Sequence, residues 1–243
     1  MKIKTIIAWV SAAVVVISVI GIAIWASHQP KEKPCARLEV VITDSLQRRF
    51  VERQELRQWI YREGLLPEGK WQHEISCHAI EECLLKHEMV RTAECYKSHD
   101  GLVCVRITQR VPALYVVSGE GNYYVDADRE IMPVRKSINV DVPKFKGAVG
   151  KRAAREEYFD FAQWLMDNRY WNDRIDYVKV HNAKYLVLAQ TGDMGDIVLG
   201  DLSNFEQKLD KLKKLYTDGF DHIGYKPYRE YDLRYDGQVV GRY

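Results

Sequence analysis

Cysteine and histidine side chains, which bind zinc or form disulfides, are concentrated in one stretch of this 243-residue sequence. All five cysteines and four of the seven histidines lie between residues 35 and 104. Cys83 and His87 are four residues apart, a spacing that places two ligands on one face of a helix. However, the stretch contains no C-x-x-C pair, and its spacing matches no recognised zinc pattern. The apolar neighbours Leu84 and Met89 favour a packing role, so we predict neither a metal site nor a cofactor.

The odd number of cysteines leaves at least one thiol without a partner in the same chain. The cysteines are Cys35, Cys77, Cys83, Cys95 and Cys104. The residues Ser98–Gly101 favour a turn between two strands, and a symmetric register across this turn would place Cys95 opposite Cys104. Directly opposed cysteines reach each other only in the close, non-hydrogen-bonded register. Two interpretations therefore stay open, a Cys95–Cys104 disulfide or two reduced, half-buried thiols.

Carboxylates are the other candidates for chemistry. Asp193, Asp196 and Asp201 could act as paired acid–base groups, but they stand beside glycines, where aspartate normally accepts backbone hydrogen bonds in turns. The sequence contains no nucleophile elbow, phosphate-binding loop or HExxH motif. The histidines lie in polar segments and are expected at the surface. These patterns predict a protein without catalytic activity.

A long apolar segment precedes all of these residues. From Ile6 to Ala26 the sequence has 21 residues without a charge. As a helix rising about 1.5 Å per residue, the segment would span about 31 Å, which matches a hydrocarbon core of ~30 Å. A buried core helix would show a polar face, and a cleaved secretory signal has a shorter apolar stretch of ~7–15 residues. A membrane anchor with Trp9 and Trp25 near its ends is the favoured interpretation.

The charges around this segment do not decide its orientation, because lysines lie on both sides. Residues 1–33 carry four lysines and one glutamate, so the remaining chain has a net charge of −1 within the overall +2. Long domains translocate largely regardless of charge, so we predict residues 1–5 in the cytoplasm and everything after about Ser27 outside it. The near-neutral remainder has no basic stripe and does not indicate nucleic-acid binding.

The residues after the apolar segment predict an α+β unit over residues 35–111, preceded by a polar linker at residues 28–34. The pattern is strand, helix, helix, strand, strand. The elements are a β-branched run at Leu38–Ile42, an amphipathic helix at Val51–Glu63, a helix from the N-cap Ser76 to about His87, and strands at about Arg91–Lys97 and Leu102–Gln109.

Residues 112–243 predict a mainly antiparallel β domain with flanking helices. The elements are a helix at Arg155–Arg169 with Tyr158, Ala162, Leu165 and Met166 facing the core, strands at Asp176–Val180, Tyr185–Ala189 and Asp196–Leu199, a helix opened by a capping box of Ser203 and Glu206, and a final hairpin. The hairpin pairs Tyr231–Tyr235 with Gln238–Gly241 around a two-residue Asp236-Gly237 turn.

Four segments carry a resemblance to a known family. They are Glu82–Tyr96 (ECLLKHEMVRTAECY), Gly121–Asp126 (GNYYVD), Val142–Gly147 (VPKFKG) and Tyr231–Gly237 (YDLRYDG). The first, within a β-α-α-β-β unit just after a membrane anchor, resembles a POTRA (polypeptide-transport-associated) domain. The others are similar to segments of FtsQ/DivIB, a family of bitopic bacterial cell-division proteins, and the last resembles that family's DLRY motif. The resemblance covers nearly the whole chain and implies that the second sheet continues from the first.

The family resemblance implies a scaffold without catalytic activity in the cell inner (plasma) membrane at the division septum. Its amino terminus would be cytoplasmic and its carboxy-terminal part periplasmic. It would bind FtsB-like and FtsL-like coiled-coil proteins and other membrane proteins of the division complex, and link them to septal wall synthesis. By position, the candidate contact residues are Tyr231, Tyr235, Gly237, Val239, Val240 and Arg242.

The last predicted strand also suits partner binding on physical grounds. The sequence stops two residues after Gly241, without an acidic or flexible tail to cover a sheet edge. An uncovered edge strand recruits other strands through its unpaired backbone groups. Because side chains alternate faces along a strand, Tyr235 and Val240 could instead be core or cross-strand residues. The alternative function is a POTRA-type receptor for the transport or assembly of outer-membrane or secreted polypeptides.

Overall fold

The computed structural model describes residues 2–27, 33–44, 50–98, 100–135, 138, 140–220 and 228–243. Helix α1 (Lys2–Ser27) comes first. Within the described ranges, no helix has both the length and the apolar character needed to cross a membrane. Most of the predicted linker, residues 28–32, lies outside the described residues.

The first folded unit has the predicted order of elements. Its elements are β1 (Arg37–Ile42), α2 (Arg53–Arg62), α3 (Cys77–Leu85), β2 (Val90–Lys97) and β3 (Leu102–Gln109). The middle strand β3 runs parallel to β1 and antiparallel to β2. The predicted N-cap of α3 is confirmed, since the hydroxyl of Ser76 accepts a hydrogen bond from the N–H of Ala79 at 3.2 Å.

Alternate strand residues and one face of each helix form the core of the first unit. These buried residues include Leu38, Val40, Val103, Val105 and Ile107 from the strands, and Leu56, Ile60, Ile80 and Leu84 from the helices. Burying each such aliphatic side chain contributes about 1.5–3 kcal/mol to stability. The buried residues repeat at about every second position along the strands and about every 3.6 residues along the helices.

The β2–β3 hairpin differs from the predicted register by one residue. Cys95 lies opposite Val105, and Cys104 lies opposite Tyr96, because five residues rather than four separate the paired ends of the strands. A shift of one residue moves a side chain to the other face of a sheet. Cys95 therefore packs on the helix-covered core, whereas Cys104 shares the opposite face with Tyr96. Of the two interpretations that the sequence left open, the Cys95–Cys104 disulfide is incompatible with this register, and both residues are free thiols.

The second unit is a mixed sheet with helices packed on it. Its strands are β4 (Pro112–Ser118), β5 (Gly121–Asp126), β6 (Ile131–Pro133), β7 (Lys144–Gly147), β8 (Ile175–Asn182), β9 (Tyr185–Gln190), β10 (Asp196–Gly200), β11 (Glu230–Asp232) and β12 (Val240–Arg242). Its helices are α4 (Lys151–Arg155), α5 (Glu157–Asp167), α6 (Arg169–Asn172) and α7 (Phe205–Lys214). The strand order is β12-β11-β10-β9-β8-β7-β4-β5-β6. Five of the eight pairs among these described strands are antiparallel, as predicted.

Two local predictions in this unit are wrong. Met166 is 40% exposed, whereas its neighbour Leu165 in the same turn of α5 is buried. Ser203 does not cap α7, because its hydroxyl donates to the carboxylate of Asp201. The N-cap position is instead occupied by Asn204, in a left-handed conformation. The capping box therefore does not form.

The two units share a core instead of a sheet. Their strands form two separate sheets, so the expected continuation is wrong. Strand β4 has β5 on one edge and β7 on the other, which leaves it no edge for a strand of the first unit. Residues from the second unit complete the first unit's core, namely Tyr124, Met132, Ile138 and Val142.

A polar cluster at this junction joins the units. Oε1 of Glu55 on α2 accepts a hydrogen bond from Nη1 of Arg135 at 2.6 Å and lies 3.2 Å from Nε2 of His87. The ring of His87 is only 3% exposed, which contradicts its predicted surface position. Nδ1 of His87 accepts the N–H of Met89 at 3.3 Å, so the neutral ring carries its proton on Nε2 and donates it to Glu55.

Burial holds the pKa of His87 below its ordinary value of 6.5, although the hydrogen bond to Glu55 opposes this. Burial raises the pKa of Glu55, but the bonds from Arg135 and His87 outweigh it and leave that pKa below 4.5. The two groups therefore affect stability in different pH ranges. His87 acts near neutrality, and Glu55 acts only in more acidic solution.

We expect the free energy of unfolding to decrease as the pH falls through about 6.5, the ordinary histidine pKa. The unfolded chain takes up a proton on His87 at a higher pH than the folded chain does, so protonation favours unfolding. Urea denaturation of the full chain between about pH 7.5 and pH 5.5 measures this slope. His87→Gln should flatten it, whereas His78→Gln, at an exposed position, should not. An unchanged slope in His87→Gln would assign the effect to another group.

Candidate functional site

The predicted partner residues lie on β11, β12 and the loop that joins them. Strand β11 runs parallel to β10 and antiparallel to β12, which is the outermost strand of the order at this end. Asp232 pairs with Val240, so seven residues connect the strands and the predicted two-residue turn is wrong. The cause is Leu233, whose side chain is buried and whose N–H donates to the carbonyl of Val198 at 2.9 Å. The chain therefore follows β10 for one more residue before it turns.

A fully buried carboxylate organises this end of the sheet. Asp232 is 0% exposed and accepts two hydrogen bonds from Arg234, from Nε at 2.9 Å and from Nη2 at 2.6 Å. Nη2 of Arg242 donates to the same carboxylate at 2.9 Å, and its Nη1 donates to Glu230 at 3.1 Å. One buried charge thus fixes the loop through Arg234 and the end of β12 through Arg242. We call Asp232, Arg234 and Arg242 the Asp232 cluster.

The charges of the Asp232 cluster stabilise one another. The hydrogen bonds from Arg234 are the main reason that the pKa of Asp232 lies below 3.8, and Asp232 in turn raises the pKa of Arg234. The guanidinium of Arg234 also lies 5.4 Å from the centre of the Tyr185 ring. Gly200 makes room for it, since a Cβ there would lie 2.8 Å from Cγ of Arg234.

A cleft of about 520 Å³ opens beside the loop, between it and the start of α7. Its lining has four basic and two acidic side chains, so its net charge is positive. Nζ of Lys208 lies 3.0 Å from the carboxylate of Asp201. The hydroxyl of Ser203, followed by Lys208, lowers the pKa of Asp201 to about 2. The cleft can therefore accept negative charge but contains no arrangement for acid–base catalysis among these groups.

Exposed aromatic rings flank the same edge. Tyr243 is 79% exposed, and its ring contacts that of Tyr228 at an angle of 47°, with the ring centres 4.8 Å apart. A Cβ at position 241 would lie 2.7 Å from the Tyr228 ring, so only Gly241 lets that ring lie on the strand. Tyr235, in the loop, is 45% exposed. Rings of this kind contribute large contact area to protein interfaces.

Comparison with known families matches residues 111–242 to the family described as FtsQ/DivIB, C-terminal related. This match spans more than half of the chain. The chain belongs to the FtsQ/DivIB family. Residues 33–108 match the POTRA-like domain, in agreement with the β-α-α-β-β order of the first unit. No curated protein matches the chain.

The predicted partner residues on β11, β12 and their connecting loop lie in different environments. Tyr231 is buried, with its ring centre 5.3 Å from that of Tyr216, and its part in partner binding stays a prediction. Tyr235 and Gly237 lie exposed in the loop. Val239 and Val240 are partly buried, and Val239 packs on the core. Arg242 lies in the Asp232 cluster.

Sequence reasoning missed the structural residues of this site, Asp232 and Arg234. Their spacing of two residues on a strand places both side chains on one face, which is a signal for an ion pair. The contribution of Arg242 had no such signal, because it depends on the β11–β12 register. Among the described residues, no three His, Cys, Asp or Glu side chains form a group that could hold a metal ion.

We expect Asp232→Asn to lower the free energy of unfolding by about 2 kcal/mol, because the buried carboxylate loses charge-assisted hydrogen bonds. Urea denaturation of the full chain measures this value. Glu230→Gln is the matched control on the same strand and should change stability by less than about 0.5 kcal/mol, because its ion pair is partly solvated.

The same pair of variants tests the acid dependence. Since the pKa of folded Asp232 lies below 3.8, its contribution is complete above that pH and is lost as the pH falls further. Asp232→Asn should lack this part of the acid dependence. Equal stability of Asp232→Asn and Glu230→Gln would show that the buried carboxylate does not hold the site together.

Proposed function

We propose that this protein is a single-pass, non-catalytic scaffold of the bacterial division complex that binds FtsB-like and FtsL-like proteins at β12. Membership of the FtsQ/DivIB family supports a division-related role. Both FtsQ/DivIB and POTRA-like proteins are generally non-enzymatic. The observation that carries the proposal is an outermost strand, β12, held in place by the buried carboxylate of Asp232.

Strand β12 suits β-augmentation by a partner. It pairs with β11 on one side, and in the described part of the chain no strand follows it in the sheet order. A partner strand would gain backbone hydrogen bonds along β12 and side-chain contacts with the exposed rings beside it. The Asp232 cluster reduces the entropic cost of binding, because β12 and the loop are already held in one arrangement.

The basic cleft supplies a second element of recognition. It begins next to Tyr235, so a segment paired with β12 can continue into it. Lys184, Lys211 and Arg234 lie along its wall. We infer that the partner carries acidic side chains next to the paired strand, which gives charge complementarity and a faster association.

The proposed membrane attachment rests on the amino-acid sequence and not on an observed membrane-spanning helix. The uncharged sequence from Ile6 to Ala26 lies within one continuous helix, Lys2–Ser27. An anchor formed by this segment would place residues 1–5 in the cytoplasm and both folded units in the periplasm, at the division septum. The POTRA-like unit would then lie nearer the membrane and β12 at the far end of the second sheet.

Val240→Lys and Tyr235→Lys should each reduce recovery of the FtsB/FtsL-like partner by about tenfold or more, as expected for the centre of an interface. Co-purification from detergent-solubilised membranes, with the full chain as bait, measures recovery. The control is Val134→Lys, which makes the same change at a 44% exposed position just after β6, the opposite edge strand.

The thermal transitions of these three variants should stay close to that of the parent chain, because none of the positions is fully buried. Partner recovery equal to the parent in both Val240→Lys and Tyr235→Lys would reject β12 as the binding surface. Loss of recovery in Val134→Lys as well would indicate a general effect of added charge.

Removal of residues 2–27 should move the protein from the carbonate-washed membrane fraction to the soluble fraction. Replacing them with an unrelated single-pass anchor should restore both membrane attachment and division, if α1 acts only as an anchor. Retention of the shortened chain in the washed membranes would contradict the proposed anchor. Depletion of the whole protein should give filamentous, undivided cells, whereas loss of outer-membrane proteins would favour a transport receptor.

A further inference from the structure

Two thiols of the first unit lie together, away from the proposed partner surface. Cys77 is the first residue of α3, and Cys95 lies on β2. The side chain of Cys95 lies on the helix-covered face of the sheet, and the nearby thiol of Cys77 contributes to its raised pKa. A second contact fixes the same pair of elements, since the N–H of Cys95 donates to Oε1 of Glu81 at 2.6 Å. Glu81 is one helical turn after Cys77, so both residues lie on the face of α3 that covers β2.

These two thiols differ from the other three in accessibility. Cys77 and Cys95 are partly exposed, whereas Cys35, Cys83 and Cys104 are buried. A soluble oxidant can therefore reach the pair while the remaining thiols stay protected in the core. The pairing would leave three thiols, and all three are buried.

We propose that Cys77 and Cys95 form an intrachain disulfide that links α3 to β2 when the chain meets a disulfide oxidant. This site lies outside the partner surface and goes beyond the proposed scaffold function. A periplasmic location would supply oxidising conditions. The chemistry itself depends only on the two thiols and the oxidant.

The reaction proceeds by thiol–disulfide exchange. Burial raises the pKa of Cys95, which favours Cys77 as the first nucleophile. The Cys77 thiolate attacks one sulfur of the oxidant R–S–S–R, and one RS⁻ leaves and takes up the proton that Cys77 lost. Cys95 then loses its proton and attacks the Cys77 sulfur of the mixed disulfide, which releases a second RSH. Two protein thiols are oxidised, and one disulfide is reduced to two thiols.

The bond would stabilise the outer part of the first unit. Strand β2 is at the edge of the three-stranded sheet, and α3 covers the core beneath it. Linking residues 77 and 95 restricts the unfolded chain over the segment that contains His87. From the usual effect of a loop of this length, we expect the melting temperature to rise by about 5–10 °C.

Peptide mapping tests the pairing directly. The detergent-solubilised full chain is incubated with oxidised glutathione, its free thiols are alkylated, and it is digested with trypsin without reduction. Trypsin separates Cys95, on the peptide Thr92–Lys97, from Cys77 and Cys83, which share the peptide Trp71–Lys86. The proposal predicts that these two peptides are linked, with the loss of two hydrogen atoms. Reduction should separate them.

Two variants assign the linked sulfur on the shared peptide. Cys83→Ala should keep the link, and Cys77→Ser should abolish it. Oxidation should raise the melting temperature of the parent chain and of Cys83→Ala but not that of Cys77→Ser. An alkylated, unlinked Thr92–Lys97 peptide after oxidation of the native chain would overturn the proposal. A link that survives in Cys77→Ser, or that joins Cys95 to the Cys35 or Cys104 peptide, would overturn it equally.

Discussion

The first folded unit has an apolar core that it does not complete alone. Tyr124, Met132 and two further residues of the second unit pack among the side chains of the first. Glu55 and Arg135 form an ion pair across the same junction, and the buried ring of His87 fills the space beside it. Because polar groups at such a junction are costly unless paired, this contact favours one arrangement of the units. The position of β12 relative to the first unit follows from it.

A buried charge performs a comparable role at the other end of the second sheet. Asp232 holds Arg234 in the loop and Arg242 on β12. Strand β12 is only three residues long, and its backbone pairing alone would leave it weakly attached. The Asp232 cluster therefore explains how a short edge strand can serve as a defined binding surface. Structural and proposed functional roles are divided between neighbours, since Tyr231 is buried and Tyr235 is exposed.

Local pattern was a good guide to the elements and a poor guide to their register. The strands β1, β2 and β3 and the helices α2 and α3 were predicted to within about two residues, which is ordinary for strongly periodic segments. The turn after Lys97 was predicted with four residues and has five, and this moved Cys95 away from Cys104. The final hairpin failed for a similar reason, because Leu233 stays bonded to β10 instead of entering the turn. In the final hairpin a distant contact, from Leu233 to Val198, decided the conformation of the connection.

The sequence by itself determined the order of the elements, their buried faces, the apolar amino-terminal segment and the family resemblance. These features depend on residues that are near one another in the chain, where the helix and strand periods act directly. Only the tertiary structure decided that Cys77 meets Cys95, that His87 is buried against Glu55, and that Arg242 reaches Asp232. Each of these pairs joins different elements. Their contacts depend on strand register and helix docking, which are set by the packing of the whole core and leave no periodic signal in the chain.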